Sequence, residues 1–186
     1  MHFTVEAQMI AKRFLCEGAI AIDATAGNGF DTLFLAEQVG DSGLVYGIDI
    51  QERAIDVVQQ KLQQAGRAHR CRLTACSHSN LDSFVERIHV GNVSVAMFNL
   101  GYLPLGDKTI VTKPESTILA LDQVAAFIRP GGLISILAYL GHDGGEAEAM
   151  RVTLWIETRL ADFTVERFQD TSNANSPILW ALTKRD

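Results

Sequence analysis

Residues 23–32 read Asp-Ala-Thr-Ala-Gly-Asn-Gly-Phe-Asp-Thr, and this stretch decides the fold that we predict for the chain. It directly follows a short apolar run at 19–23, which is typical of a buried parallel strand. Gly27 and Gly29 let the backbone approach a ligand with no Cβ atom in the way. A helix predicted to begin at about residue 31 would turn its free N–H groups towards the same ligand. The stretch therefore predicts a ligand-binding turn between a strand and a helix.

A second apolar run, at 44–49, ends in an acid about twenty residues after this turn. Its last residue, Asp49, has the position at which nucleotide-binding α/β proteins carry an acid that contacts the ribose. A carboxylate can accept hydrogen bonds from both ribose hydroxyls at once. Asp49 therefore indicates that the ligand contains a ribose.

Strands and helices alternate along the rest of the chain. Strands are predicted at 72–75, 93–99 and 133–140, and helices at 51–64, 81–88, 114–127 and 146–160. In the last helix we expect Met150, Leu154 and Trp155 to face inward. Such alternation produces a parallel sheet with helices on both faces. Two closing strands, at 163–168 and 178–182, have no helix between them and predict an antiparallel edge. We expect one domain over 1–186 with a Rossmann-like α/β fold and a mostly parallel, seven-stranded sheet.

The acidic loop distinguishes between two ligands that such sheets bind. A dinucleotide site would have a third glycine where this chain has Thr32, and no carboxylate beside the pyrophosphate. Asp23 and Asp31 would repel that anion, so the loop disfavours an NAD-dependent oxidoreductase. S-adenosylmethionine carries a ribose, an amino group and a sulfonium but no phosphate. We therefore expect S-adenosylmethionine as the cofactor, with Asp23 holding its amino-acid end directly or through a water.

Several segments together carry a resemblance to a known family. They are the loop at 23–32 and the segments at 47–51, 77–81, 98–104, 106–108, 112–117 and 139–142. Over nearly the whole chain these segments resemble the YtqB-like rRNA methylase family, and Asn-Leu-Gly-Tyr-Leu-Pro at 99–104 is a specific match. The family has a histidine where this chain has Phe30, which changes one contact of the loop.

The resemblance implies a class I, S-adenosylmethionine-dependent methyltransferase that modifies tRNA and forms a homodimer. MnmM-type members of the family methylate the amine of wobble 5-aminomethyl-2-thiouridine. A methyltransferase acting on rRNA or on a small-molecule amine is the alternative within the enzyme class. A regulatory protein that binds the cofactor without catalysis is disfavoured, because the 99–102 segment is intact.

The segment at 99–102 lies where amino-methylating enzymes carry an Asn/Asp-Pro-Pro-aromatic motif. The side-chain carbonyl of Asn99 can accept a hydrogen bond from an attacking amine and so aim its lone pair at a sulfonium methyl. Tyr102 can stack on a base that is held out of its helix. The amine must lose a proton, and Asp107, His142 or Tyr139 could receive it.

Two sets of candidate site residues follow. The catalytic candidates are Asn99, Tyr102, Asp107 and His142. The cofactor-binding candidates are Asp23, Thr25, Gly27, Asn28, Gly29, Asp31, Thr32, Asp49, Ile50, Gln51, Ser77, His78, Asn99, Leu100 and Gly101. No metal site is expected, because no second or third ligand is in register with His142.

Charge and composition restrict the remaining function classes. The net charge of −6 and the pI of about 5.3 argue against indiscriminate nucleic-acid binding, although a local basic face could still hold RNA. Three scattered cysteines suit a reducing cytosol better than a disulfide framework. The start resembles no signal peptide, and no apolar stretch reaches the ~20 residues of a membrane span. We therefore expect a cytoplasmic protein without a membrane partner.

Overall fold

A seven-stranded sheet forms the centre of the fold in a computed structural model that describes residues 3–103, 109–173 and 175–186. The strands are β1 (Ile20–Asp23), β2 (Leu44–Asp49), β3 (Cys71–Ala75), β4 (Val93–Leu100), β5 (Ile128–Ala138), β6 (Phe163–Phe168) and β7 (Ile178–Lys184). Their order across the sheet is β3-β2-β1-β4-β5-β7-β6. The strands from β3 to β5 in this order are parallel, whereas β7 pairs antiparallel with both β5 and β6. The predicted mostly parallel sheet with an antiparallel edge is confirmed.

The strand order places the ligand crevice. Chain order runs outward from β1 through β2 to β3 on one side, and from β4 to β5 on the other. Open α/β sheets bind ligands at the carboxyl ends of the two strands where the order reverses. In this chain those ends are Asp23 of β1 and Leu100 of β4.

Helices cover both faces of the sheet. They are α1 (Phe3–Lys12), α2 (Phe30–Val39), α3 (Glu52–Gln64), α4 (Leu81–Phe84), α5 (Pro114–Phe127) and α6 (Gly145–Glu157). Alternate residues of a strand face opposite sides, so Val95 packs with α1, α2 and α3, whereas Ala96 packs with α4, α5 and α6. The central strands are therefore apolar on both sides. No helix of the described residues is long and apolar enough to cross a membrane.

The inward face predicted for α6 is wrong at two of its three positions. Met150 is 66% exposed and Leu154 is 51% exposed, whereas Trp155 is buried as expected. The buried stripe of α6 includes Ala149 and Val152, which pack in the core with α5. Met150 and Leu154 are four residues apart and therefore share the opposite side of the helix.

Two element boundaries also differ from the prediction. The helix expected at 81–88 ends at Phe84, because Val85 has an extended backbone and its side chain enters the core. A single 3₁₀ turn follows at Arg87–His89. β5 begins at Ile128, which pairs with Val93, rather than at 133. Its Pro-Gly-Gly segment therefore lies within the strand.

Candidate active site

A cavity of about 760 Å³ opens at the carboxyl ends of β1, β2 and β4. Most of the predicted site residues line this one cavity. The predicted residues along its wall are Thr25, Gly27, Asn28, Asp31, Asp49, Ile50, Gln51, Ser77, His78, Asn99, Gly101, Tyr102 and His142. The sequence prediction and the fold therefore point to the same place.

Four predicted cofactor-binding residues lie behind the cavity wall. Asp23, Gly29, Thr32 and Leu100 are buried and do not line the cavity. They can shape the wall, but the present arrangement gives them no surface towards a ligand. Asp107, a predicted catalytic residue, lies outside the described residues.

The loop after β1 needs glycine at two positions. Gly27 has a φ of 51° and Gly29 a φ of 78°, both in the left-handed region. A Cβ atom on Gly29 would also lie 3.1 Å from Cγ2 of Val58 on α3. The two glycines therefore allow α2 to begin close against α3 while the loop curves around the cavity.

Asp49 fastens this loop to the end of β2. Its Oδ2 accepts the N–H of Gly27 at 2.9 Å, and its Oδ1 accepts the N–H of Gln51 at 2.9 Å. Each carboxylate oxygen has a further lone pair. Asp49 can therefore hold the loop and still accept two hydroxyl groups of a ligand.

Asp31 orients Asn99 across the cavity floor. Nδ2 of Asn99 donates to Asp31 Oδ2 at 2.6 Å, and Nε2 of Gln8 donates to Asp31 Oδ1 at 2.6 Å. A carboxylate only accepts hydrogen bonds, so the amide nitrogen of Asn99 must face it. The backbone N–H of Asn99 donates to Thr25 Oγ1 at 2.7 Å. The side-chain carbonyl of Asn99 is the polar group left for a ligand in the cavity.

His142 lines the same cavity, and its contacts assign the tautomer of the neutral ring. Its Nδ1 lies 3.0 Å from the carbonyl oxygen of Asp143. A carbonyl only accepts, so Nδ1 carries the hydrogen and Nε2 has the lone pair. Nε2 is buried without a hydrogen-bond partner among the described residues. The imidazole ring also contacts Tyr102 edge-on, with 5.9 Å between the ring centroids.

His78 is a neutral side chain that lines the same cavity as the loop after β1. Burial lowers its pKa to about 4, so the imidazole is uncharged at neutral pH. Its Nε2 lies 3.2 Å from Oγ of Ser116, at the start of α5. Ser77 caps the same turn by accepting the N–H of Ser79. His78 therefore offers a flat, uncharged surface to this part of the cavity.

Comparison with known proteins identifies the family. Residues 45–184 match the family described as "Putative rRNA methylase". The chain belongs to this family. The resemblance predicted from the loop and the 99–104 segment is thereby confirmed.

Individual relatives of this rRNA methylase family agree along the whole chain. The chloroplastic tRNA (mnm5s2U34)-methyltransferase of Arabidopsis thaliana is 34% identical over an alignment of 192 positions, which covers 98% of this chain and 69% of that protein. A crystal structure from Clostridium thermocellum with the same family description is 38% identical, with a TM-score of 0.91 over 97% of this chain and 96% of that one. A "putative methyltransferase" of Streptococcus mutans, solved in complex with SAH, is 30% identical, with a TM-score of 0.86 over 97% of both chains.

The structure adds cavity residues that sequence reasoning missed. They include Gln8 of α1, Thr112 and Ser116 before and within α5, and Asn175 before β7. Thr112 and Ser116 belong to the 112–117 segment that matched the family, so a signal for them existed. No pattern in the sequence indicated that α1 would reach the cavity. Within the described residues, no group of three or more His, Cys, Asp or Glu side chains could share a metal ion.

Phe30, where the methylase family was expected to have a histidine, lies at the rim of the cavity. The side chain is 68% exposed, and Nζ of Lys61 lies 3.8 Å from the ring centroid. The same ammonium donates to the carbonyl oxygen of Asn28 at 2.6 Å. Lys61 therefore fixes the ring against the cofactor loop by a cation–π contact.

Asp23 is the fully buried acid of the methylase loop. Its Oδ2 accepts the Thr32 hydroxyl at 2.5 Å, and its Oδ1 accepts the Thr25 N–H at 3.3 Å. Burial, and secondarily the charge of Asp31, raise the pKa of Asp23 from 3.8 to about 7. The two hydrogen bonds join the start of the loop to α2, so in this arrangement Asp23 supports the loop from behind.

Asp23→Asn is expected to raise Tm, with a gain about 5 °C larger at pH 8 than at pH 5. The unfolded chain releases the Asp23 proton near pH 4, whereas the folded chain keeps it until about pH 7. The wild-type carboxyl therefore destabilises the fold increasingly from pH 4 to 7, and the effect is constant above that. The neutral amide of asparagine does not ionise, so it causes no such loss of stability. Thermal unfolding at several pH values measures the difference, and a gain that does not depend on pH would contradict it.

Proposed function

We propose that this protein transfers a methyl group from S-adenosylmethionine to the amine of wobble 5-aminomethyl-2-thiouridine in tRNA. The observation that carries the proposal is the orientation of Asn99. Its amide nitrogen is bound by Asp31, which leaves its carbonyl oxygen for an amine in the cavity. The 34% identity to a plant tRNA (mnm5s2U34)-methyltransferase supports the choice of substrate.

The residues of the loop fit S-adenosylmethionine. Asp49 keeps one lone pair on each oxygen for the two ribose hydroxyls, while its other contacts hold Gly27 and Gln51 in place. His78 and Ile50 provide uncharged walls suited to an adenine ring. Bound S-adenosylmethionine supplies a methyl group on a positively charged sulfonium. The loop carries Asp31 rather than anion-binding cations beside that position, which suits a cationic centre.

The acceptor end of the cavity fits an amine attached to a flat base. The carbonyl oxygen of Asn99 accepts one amine hydrogen and fixes the direction of the nitrogen lone pair. Tyr102 presents an aromatic face for the base. The nitrogen forms the new bond to carbon as the carbon–sulfur bond breaks, and one proton leaves the amine. Tyr139 and His142 are the described candidates to receive that proton, since both line the cavity and Nε2 of His142 has no hydrogen-bond partner among the described residues.

We extend the proposal to the setting of the enzyme. All three cysteines are free thiols, which supports a reducing compartment such as the cytoplasm. A homodimer would double the surface available to tRNA, since a single small domain offers little area beside its cavity. Light scattering of the purified protein tests the dimer directly.

The test is methyl transfer from labelled S-adenosylmethionine to bulk tRNA taken from cells that lack the wobble methylation. Nucleoside mass spectrometry should find one added methyl group on 5-aminomethyl-2-thiouridine. The matched control is tRNA from cells that keep the modification, which should accept little label. Label in rRNA or in small amines, with none in this nucleoside, would favour the alternative that the family description and the acidic net charge suggest.

A further inference from the structure

Glu148 on α6 is a buried acid that has no place in the proposed chemistry. It is 1% exposed, does not line the cavity, and forms no ion pair with a lysine or arginine of the described chain. Its Oε2 accepts the Thr112 hydroxyl at 2.6 Å, and its Oε1 accepts the Thr117 hydroxyl at 2.6 Å. A buried carboxylate is costly unless donors satisfy it, so this one requires a reason.

Thr112 connects Glu148 to the Asn99–Tyr102 segment. Its hydroxyl donates to the carboxylate, so the same oxygen is free to accept the N–H of Gly101 at 2.8 Å. The backbone N–H of Thr112 donates to the carbonyl oxygen of Gly101 at 2.9 Å. Next to this pair, Tyr102 forms a β-bridge with Val111. Both backbone groups of Gly101 are therefore held by one threonine, which Glu148 holds in turn.

Gly101 lies so close to His142 and Tyr139 that a small displacement of its backbone would change the shape of the cavity. Its φ of 150° lies outside the region that other residues favour. A Cβ atom built on it would lie 3.4 Å from His142 Nε2 and 3.5 Å from Tyr139 Cβ. Gly101 therefore fits between the two side chains at the acceptor end, two residues after Asn99 and directly before Tyr102.

We infer that Glu148 is a positioning residue for methyl transfer, which acts through the Thr112 hydroxyl to fix Gly101 and with it the Asn99–Tyr102 segment that receives the amine. This inference rests on the proposed function for its kinetic consequence. It names a residue 46 positions beyond Tyr102 that touches neither ligand. Glu148 keeps the backbone of the Asn99–Tyr102 segment in one position relative to the cavity.

Thr117 provides a matched control inside the same cluster. It is buried in the first turn of α5 and donates to the same carboxylate at the same distance, but it does not contact Gly101. Thr112→Val and Thr117→Val each replace one hydroxyl by a methyl group of similar size. Both variants leave Glu148 with one donor, and only Thr112→Val also removes the side-chain oxygen that accepts the Gly101 N–H.

Thr112→Val and Thr117→Val are expected to differ in kcat. Thr112→Val should lower kcat by about tenfold or more while the cofactor Kd stays within about twofold, and Thr117→Val should keep kcat within about twofold. Thr112→Ser retains the hydroxyl and should recover most of the rate. Glu148→Leu removes the acceptor of the Thr112 hydroxyl. As a single substitution it should lower kcat, and it should add little to Thr112→Val because both variants break the same contact. Equal kcat losses in the two valine variants, or full additivity, would overturn the inference.

Hydrogen exchange of the Gly101 amide gives a readout that needs no substrate. Its protection measured by NMR should fall in Thr112→Val and Glu148→Leu and stay unchanged in Thr117→Val. Unchanged protection in Thr112→Val would refute the positioning role, whatever the enzyme methylates. If instead protection falls as expected but the wild-type protein transfers no methyl group to the wobble nucleoside, the proposed function fails and the structural link stands.

Discussion

Asn99→Ala is expected to lower kcat about 100-fold while leaving the cofactor Kd within about twofold. The side chain donates to Asp31 and presents its carbonyl oxygen to the cavity, so its removal leaves the amine without an acceptor to orient it. The contact between Asp49 and the loop at Gly27, on which we propose cofactor binding to depend, does not involve this amide. Misplacement of a reacting group by about 1 Å is enough for a loss of this size.

Single-turnover kinetics and calorimetric titration of S-adenosylmethionine measure the two quantities for Asn99→Ala separately. The matched control is Asn92→Ala, because Asn92 is exposed directly before the opposite end of β4. It should behave as wild type. A turnover close to normal in Asn99→Ala would show that another group orients the amine.

Asp49→Ala is expected to raise the cofactor Kd at least about tenfold. Hydrogen bonds to a charged group contribute about 1.5–3 kcal/mol each, and the two that we propose between Asp49 and the ribose would be lost together. The variant also frees the N–H groups of Gly27 and Gln51, which loosens the loop that encloses the cofactor. The measured effect should therefore exceed the tenfold that corresponds to about 1.4 kcal/mol.

Asp56→Ala is the control for Asp49→Ala. Asp56 is an exposed acid on α3, so its removal changes the net charge equally without touching the cavity. Titration calorimetry of both variants should show weaker binding only for Asp49→Ala. Equal affinities would mean that the ribose is held elsewhere.

Much of the fold was predictable because its signals are local. The runs around Ile22 and Ile48 are apolar on both faces, as a buried parallel strand requires, and each ends in an acid: Asp49 lines the cavity, and Asp23 lies behind its wall. The glycines of the loop are needed for its own backbone conformation, so their meaning is visible in the sequence. The two strand ends and the loop glycines therefore locate, from the sequence alone, the part of the cavity that we propose for the cofactor.

The remainder depends on contacts between distant residues. Met150 and Leu154 are as apolar as Trp155, and only packing against α5 decides which of them is buried. Gln8 reaches Asp31 from a helix that precedes the first strand, and Glu148 meets Thr112 across 36 positions. Asp23 has the spacing of a ligand contact, yet the start of α2 covers it. None of these contacts produces a periodic pattern in the sequence from which it could be predicted.

The position of β4 beside β1 has a consequence for how the protein reaches its native state. β1 ends at Asp23, whereas its partner β4 begins only at Val93, so the centre of the sheet closes over a long sequence separation. Pairings of this kind form slowly, because a large loop must close before the contacts stabilise it. Asp31 and Asn99 come together only then. Both tryptophans, Trp155 and Trp180, lie in the C-terminal part of the chain, so their fluorescence reports the folding of that part. Recovery of cofactor binding reports the pairing of β1 with β4.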